Sequence, residues 1–269
     1  LELLANAGIE AMPFKGPALA VQAYGDLSMR SFSDLDIVIH RRDFEKVYIN
    51  LVKSGYFCAL SSNQAQILLK TGIELTFNQP EHHIDIHWSF AHKFVVLNLD
   101  TDGLFAKSIN IHILEKNFHG LPPEDTLLLL CIHGSNHYWC NLKWIADIIH
   151  LINRNPNINW QKISDLSGHF HVNILLYQGL SLAAIFGGLN IPEKIDKKMQ
   201  SITGKNDILN LYLFSPFLER KTFHHRFVLV KQLFFRSGEK IPVQVKYLFY
   251  QIIYTVFTPK SRDLQVIDL

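Results

Sequence analysis

The sequence lacks an excess of charge of either sign. Lysine and arginine together number 26, aspartate and glutamate 24, so the formal net charge is only +2. A charge this small does not by itself attract a protein to nucleic acid or to an anionic membrane. The basic residues form no convincing local patch, so we expect neither nucleic acid nor a membrane as a partner.

Cysteine is scarce as well. Cys58, Cys131 and Cys140 are odd in number, scattered and without CxxC spacing. That pattern argues against a disulfide framework and a zinc ribbon and fits a reducing compartment, so we expect a cytoplasmic protein. An initiating methionine is also absent, and Leu1 lies within a helix-like segment. We therefore expect the natural N-terminus, with any targeting signal, to lie upstream.

Long apolar runs are missing too. The longest one, residues 174–191, is interrupted by Gln178, Ser181 and Asn190. A membrane-spanning helix needs about 20 mostly apolar residues. We therefore expect this segment to be a buried helix of a packed core.

The sequence does contain enough apolar residues for such a core, 48% against 19% charged, which excludes a disordered chain. Up to residue 120, helix-like and strand-like segments alternate, and this predicts an α+β fold with a mixed sheet. Strands are expected at 11–14, 34–40, 74–78 and 83–90, and helices at 1–7, 17–24 and 43–54.

After Pro122 and Pro123 the pattern changes to helices alone. They are expected at 124–137, 142–152, 160–168, 172–186 and 195–202, with two more within 226–257. The chain is long enough for two ordinary domains. We expect a mixed-sheet domain over residues 1–120 and an all-helical domain over 121–269 that closes a cleft against it.

Two aspartates lie two residues apart in the strand-like segment Asp34-Leu35-Asp36. Residues i and i+2 of a strand project from the same face, so the two carboxylates are expected side by side. A divalent cation with a preference for oxygen ligands, Mg²⁺ or Mn²⁺, would relieve their repulsion. The alternative is a solvated strand end. Without a metal, replacing either residue with alanine should leave the fold intact or slightly more stable.

A second feature, Lys15-Gly16-Pro17, lies about twenty residues earlier, where a strand passes into a helix. Glycine allows the backbone to approach a ligand closely, and the free amides at a helix start favour phosphate. Lys15 would add a positive charge. Taken alone, the motif is weak evidence, because such a dipeptide more often forms an ordinary turn.

The third feature is Asp85. Ile84, Ile86 and Trp88 should face the core, which leaves Asp85 on the opposite face of its strand with His83 and His87. A single acid there could be an ordinary surface residue. In the order found here, a glycine turn, a DxD strand and a later acid describe a phosphate-handling site with two metal ions.

These features resemble the DNA polymerase β-like nucleotidyltransferase superfamily, and more closely a poorly characterised bacterial family of the NTP_transf_5 type. The similar stretches extend from near residue 10 to near residue 263. They are FKGPAL, AYGDLSMRSFSDLDIVI, SGYF, IDIHWSF, PEDTLLLLCIHGSNHYWCNLKWIADIIHLI and FTPKSRDL.

The resemblance implies that Asp34 and Asp36 bind both metal ions. It also implies that Asp85 completes one metal site and helps to deprotonate an acceptor hydroxyl. The superfamily usually has Gly or Ser after the turn glycine, but Pro17 stands here and has neither a hydroxyl nor an N–H. Contacts to phosphate would then come from Lys15, the amides of Gly16 and Ala18, and Arg30.

Two further basic residues, Arg30 and Lys143, are expected to contact acidic groups. Arg30 precedes the DxD strand by a short loop and could bind a β- or γ-phosphate as a fork or form a salt bridge that holds the loop. Lys143 lies four residues before Asp147 on a predicted helix, so we expect these two to form an ion pair.

His133 and His137 lie four residues apart on a predicted helix and share one face. Zinc binding is one interpretation, but Gly134 stands where a metalloprotease HExxH motif has glutamate. The others are a polar cleft wall that contacts the nucleotide or the acceptor, and ordinary structural histidines. We take the cleft wall as the working hypothesis.

Together, the site and the resemblance predict a magnesium-dependent nucleotidyltransferase. It would move an NMP from an NTP, such as ATP, to a hydroxyl-type acceptor and release pyrophosphate. Three alternatives stay open: a catalytically inactive nucleotide-binding or scaffold protein of the same fold, a metal-dependent hydrolase that uses the histidines, and a toxin-like enzyme that adds NMP to a protein. The acceptor could therefore be a small molecule or a protein.

Overall fold

A computed structural model describes residues 1–90, 101–137, 139 and 141–202 of the chain. The helices expected within 226–257 lie outside these residues, as does Cys140. In the first part of the chain the elements are α1 (Glu2–Asn6), β1 (Ala11–Pro13), α2 (Gly16–Leu19), β2 (Asp34–Ile39), α3 (Phe44–Lys53), α4 (Ser62–Thr71), β3 (Glu74–Gln79) and β4 (His82–His87). A π-helix, Ala20–Tyr24, continues α2 directly.

The second part begins with α5 (Thr101–Phe105) and a hairpin of β5 (Ile109–Ile113) and β6 (Lys116–Gly120). Helices follow: α6 (Pro123–Asn136), α7 (Leu142–Arg154), α8 (Trp160–His169), α9 (Asn173–Gly187) and α10 (Glu193–Ile202). The expected α+β fold is confirmed, with strands confined to the first 120 residues among those described.

Four strands form a mixed sheet in the order β1-β2-β4-β3. Its two central strands, β2 and β4, run parallel, and the outer strands β1 and β3 run antiparallel to their neighbours. One face packs on α1 and α3, where Ile37, Ile86 and Phe44 belong to one buried cluster. The other face carries Val38, which packs with residues of the later helices.

The helical part packs directly on the sheet. Met12 and Val38 belong to the same buried cluster as Leu127 of α6, Ile148 of α7 and Leu176 of α9. This cluster extends across the position at which we expect a domain boundary. The division at residue 120 therefore separates two kinds of secondary structure that share hydrophobic contacts, and it stays a proposal.

The apolar segment 174–191 forms most of α9, and its side chains from Ile174 to Ala183 are buried. The expectation of a core helix is therefore confirmed. Within the residues described, no helix is both long and apolar enough to cross a membrane.

Candidate active site

The sheet register brings the predicted acids onto neighbouring strands. Asp36 of β2 lies directly opposite Asp85 of β4, and Asp34 lies opposite His83. Because the strands are parallel and in register, the side chains of these pairs leave the same face of the sheet. Val38 continues that face into the core of the helical part. The acids therefore lie on the side of the sheet that the later helices cover.

Asp36 is buried, with only 4% of its surface exposed, and two side chains share one of its oxygens. Lys15 Nζ donates to Oδ1 over 3.2 Å, and His87 Nε2 lies 2.9 Å from the same atom. Burial alone would raise the pKa of Asp36. The hydrogen bond from His87 and the charge of Lys15 outweigh burial and hold the pKa well below its usual range.

His87 connects two carboxylates across the sheet. Its Nδ1 lies 3.0 Å from Glu74 Oε2 on β3, while its Nε2 faces Asp36. The imidazole ring of His87 thus lies between two carboxylates, each of which accepts hydrogen bonds when ionised. The ring of Phe14 packs edge-on against His87 at a centroid distance of 5.3 Å. His87 is thus fixed by polar contacts at both ends and by an aromatic contact.

Asp85 has different surroundings from Asp36. Thr76 Oγ1 donates to its Oδ1 over 2.6 Å from the neighbouring strand β3. Burial raises the pKa of Asp85, and the charges of Glu74 and Asp36 add to the increase, while the Thr76 hydrogen bond opposes it. The site therefore holds one strongly ionised carboxylate and, beside it, one that accepts a proton more readily.

The turn of Lys15 and Gly16 lies against the DxD strand. Gly16 has φ +49°, and a Cβ added there would lie 3.2 Å from the carbonyl oxygen of Asp34. This position therefore needs glycine for both its backbone angle and its close approach. The Ala18 N–H donates to the Lys15 carbonyl over 3.1 Å. The Ala18 amide is thus engaged within the turn in this conformation, and a phosphate contact from it stays a proposal.

Arg30 is paired within the protein. Its Nε and Nη2 donate to the two carboxylate oxygens of Asp147 on α7, over 2.8 and 3.0 Å, and both residues are buried. Tyr24 also donates to Asp147. The structure thus has the salt bridge that was one of the two interpretations of Arg30. The ion pair that we expected between Asp147 and Lys143 is not formed, because the buried guanidinium group of Arg30 occupies both carboxylate oxygens of Asp147. Lys143 Nζ instead donates to the Ser31 carbonyl.

His133 and His137 lie at one end of α6, with their ring centroids 4.6 Å apart. Both rings also contact Trp144 of α7, at 5.3 and 5.2 Å. Burial lowers the pKa of His133 well below its usual range, and the positive charge of Lys15 lowers it further, so the ring is neutral at pH 7. His133 therefore lies close enough to Lys15 for the lysine charge to lower the pKa of its ring.

Gly134 has a structural explanation. A Cβ there would lie 2.3 Å from Cζ3 of Trp139, which is fully buried. The position where a metalloprotease motif would have glutamate is thus filled by an indole ring. This packing argues against the HxxxH pair as part of such a motif.

Among the described residues, no three histidine, cysteine, aspartate or glutamate side chains are arranged to hold a metal ion. Asp34, Asp36 and Asp85 share a face of the sheet, but Lys15 and His87 surround Asp36 in this conformation. We did not assign His87, Glu74 or Thr76 from the sequence. The signal for His87 was present, because it follows Asp85 by two residues on one strand face. Glu74 and Thr76 required the register of β3.

Comparisons with known proteins give one family match and two distant structural similarities. The model of a family described as "Uncharacterised nucleotidyltransferase" matches residues 1–188. The solution structure of the antibiotic-resistance factor ANT(2'')-Ia has a TM-score of 0.44 at 10% identity and covers 63% of this chain and 86% of that one. A crystal structure of an antigenic nucleotidyltransferase-like protein from Paracoccidioides brasiliensis has a TM-score of 0.39 at 16% identity and covers 62% and 84%. No curated protein shows significant similarity. The family match includes every candidate site residue.

Proposed function

The chain belongs to this family of uncharacterised nucleotidyltransferases, and on that basis we propose that it transfers an NMP from an NTP to a hydroxyl-type acceptor with release of pyrophosphate. The substrate would be a nucleoside triphosphate such as ATP. The acceptor would be the hydroxyl group of a small molecule or of a protein.

The observation that carries the proposal is the pairing of Asp36 with Asp85 on adjacent parallel strands, with Asp34 on the same face. The Lys15-Gly16 turn lies against the same strand, and Lys15 reaches Asp36 itself. A cationic side chain, a glycine turn and several carboxylates are thus side by side, and this arrangement supports a proposal of phosphoryl transfer.

The carboxylates fit a divalent cation by their chemistry. Asp85 is a partly buried acid whose pKa is raised by burial and by the charges of Glu74 and Asp36, so a cation beside it would be stabilising. Oxygen ligands of this kind favour Mg²⁺ or Mn²⁺. Asp34, Asp36 and Asp85 would hold the metal. When bound, it would supply positive charge to the phosphates and to the attacking oxygen.

The side chains of the protein would each have a defined part in the reaction. Lys15 and the Gly16 amide would bind the triphosphate and orient its α-phosphorus. The acceptor oxygen would form a bond to that phosphorus as the bond to the β-phosphate bridging oxygen breaks, and pyrophosphate leaves. Asp85 would take the proton of the acceptor hydroxyl.

The helical part would close the site. His133 and His137 with Trp144 would form the wall opposite the sheet and contact the nucleotide or the acceptor. A neutral His133, whose pKa is lowered by burial and by Lys15, could both donate and accept hydrogen bonds there. Arg30 would act by holding the loop before β2 through Asp147, and a direct contact to phosphate would require that pair to open.

A second candidate function is nucleotide binding without catalysis. It is favoured by the absence, among the described residues, of a preformed three-ligand metal group. The Pro17 position and the engaged Ala18 amide favour it as well. Mg²⁺-dependent NTP binding without release of pyrophosphate would select this alternative.

The direct test uses each of the four α-³²P-labelled NTPs with Mg²⁺ and a cell extract as the source of acceptors. We expect label from one NTP to move to a product with wild-type protein and not with Asp36→Asn. Asp165→Asn, which changes an exposed acid on α8, is the matched control and should behave as wild type. Equal labelling with wild type and Asp36→Asn would contradict the proposed function.

A further inference from the structure

Lys15 has a position that its predicted role in phosphate binding does not explain. Its ammonium donates to Asp36 rather than pointing into solvent, and only 13% of its side chain is exposed. The ammonium also lies 4.8 Å from the centroid of the Phe14 ring, a favourable cation–π distance. These contacts hold the Lys15 charge against the carboxylate.

The charge of Asp36 is already balanced by groups of the protein. Lys15 Nζ donates to Oδ1 over 3.2 Å, and His87 Nε2 lies 2.9 Å from the same atom. Among the described residues, the hydrogen-bond donor to Asp85 is the neutral hydroxyl of Thr76. The positive charge of the Lys15 ammonium therefore lies beside Asp36, the central residue of the proposed metal site, and not beside Asp85.

The two side chains that contact Asp36 Oδ1 differ in their freedom to move. His87 is on a central strand and is held by Glu74, Asp36 and Phe14. Lys15 is on a turn and has a flexible four-carbon side chain, so its ammonium can change partners without a change in the backbone. A triphosphate bound at the adjoining turn would offer it several anionic oxygens.

We propose that Lys15 is a built-in counter-ion of Asp36 in the nucleotide-free protein, and that a triphosphate must draw its ammonium away before a divalent cation binds tightly at Asp36. This inference rests on the proposed function and adds a regulation of the same site. It makes metal binding depend on the nucleotide, because a cation and the Lys15 ammonium compete for one carboxylate. His87 stays in place and keeps Asp36 oriented.

The test measures the binding of Mn²⁺ alone by electron paramagnetic resonance. Removal of the Lys15 charge in Lys15→Met should tighten Mn²⁺ binding on the order of tenfold or more, because a nearby like charge is lost. Lys15→Arg should bind Mn²⁺ as weakly as wild type. Lys46→Met removes a charge from the exposed surface of α3 and should also match wild type. The same Lys15→Met variant should bind a non-hydrolysable NTP analogue more weakly.

Opposite effects of one substitution on metal and nucleotide binding are not expected for a merely structural lysine. Tighter Mn²⁺ binding by Lys15→Met supports the inference. Equal or weaker binding in a variant with the wild-type circular dichroism spectrum overturns it, even if NMP transfer by wild type stands. Failure of wild type and every variant to bind Mn²⁺, with or without the analogue, would overturn the proposed metal site as well.

A second measurement keeps the inference testable if Lys15→Met does not fold. In wild-type protein with ¹⁵N-labelled lysine, the Nζ resonance of Lys15 can be assigned by its loss in Lys15→Arg. We expect Mg²⁺ alone to leave this resonance unchanged and the Mg²⁺-bound analogue to shift it. A shift with Mg²⁺ alone would overturn the proposed order of binding.

Discussion

The environment of Asp36 in the structure differs from the one that its sequence context predicts. The DxD pattern predicts two acids that repel each other, so removing one should leave the fold intact or slightly more stable. In the structure, Asp36 is paired with Lys15 and His87. These contacts offset the repulsion that the sequence suggests for this acid. We therefore expect the removal of Asp36 to destabilise the fold, and not to leave it intact or slightly more stable.

We predict that Asp36→Asn lowers the free energy of unfolding by about 3 kcal/mol, because breaking a buried ion pair leaves its partners without a counter-charge. Asp34 is partly exposed, so Asp34→Asn should change stability by about 0.5 kcal/mol or less. Urea denaturation of both variants checks this. Equal stability of Asp36→Asn and wild type would mean that the contacts of Asp36 are not stabilising in solution.

The same contacts predict a pH dependence. The pKa of Asp36 is lowered in the folded protein, against burial, by His87 and Lys15. Its ionisation therefore stabilises the fold above the unfolded pKa of about 3.9. The stability difference between wild type and Asp36→Asn should shrink as the pH falls below about 4. A difference that still grows as the pH falls below about 4 would contradict this assignment.

Gly16 gives a prediction of backbone geometry. Gly16→Ala should destabilise the protein by about 1–2 kcal/mol, because alanine is disfavoured at φ +49° and its Cβ would press on the Asp34 carbonyl. Gly168→Ala is the matched control, since a Cβ in α8 would contact nothing. It should be neutral or stabilising by about 0.5–1 kcal/mol. Thermal melts of both variants distinguish the two positions, and equal effects would contradict the strained turn.

At the scale of elements, the contact between the loop before β2 and helix α7 depends on the Arg30–Asp147 pair. Arg30→Met and Asp147→Leu should each lower the free energy of unfolding by about 3 kcal/mol, because each leaves a buried charge without its partner. The double variant should be less destabilised than the sum of the two. Additive losses measured by urea denaturation would show that the two residues act independently.

The strands and helices of the site were predictable because their patterns are regular. The strand-like patterns at 34–40 and 83–90 correspond to β2 and β4, and the helix-like patterns at 17–24 and 124–137 correspond to α2 with its π-helical continuation and to α6. Four elements are not predicted by the sequence patterns: the helices α4 and α5 and the two strands β5 and β6. Helix α4 begins with a capping box of Ser61 and Gln64, a local signal that was present in the sequence. The β5–β6 hairpin turns at Leu114 with φ +54°, and no Asn-Gly or Asp-Gly signal marks it.

At the scale of the whole molecule, sequence reasoning identified the fold class and the residues that could carry chemistry, but not how they pair. The partners of Asp36, Arg30 and Asp147 are distant in sequence. Which cation meets which acid depends on strand register and on the packing of α7 against the sheet. Whether a domain boundary lies near residue 120 is equally hard to predict from the sequence, because it depends on which side chains share a hydrophobic core.

The most direct test of the account is the rate of NMP transfer by Asp85→Asn relative to its affinity for the NTP. Because Asp85 would accept the hydroxyl proton only during the reaction, we predict a transfer rate below about a tenth of wild type, which is a barrier increase above about 1.4 kcal/mol. Affinity for the NTP should change much less, and Asp165→Asn should match wild type in both. A rate above a tenth of wild type, with folding intact, would contradict the assignment of the site.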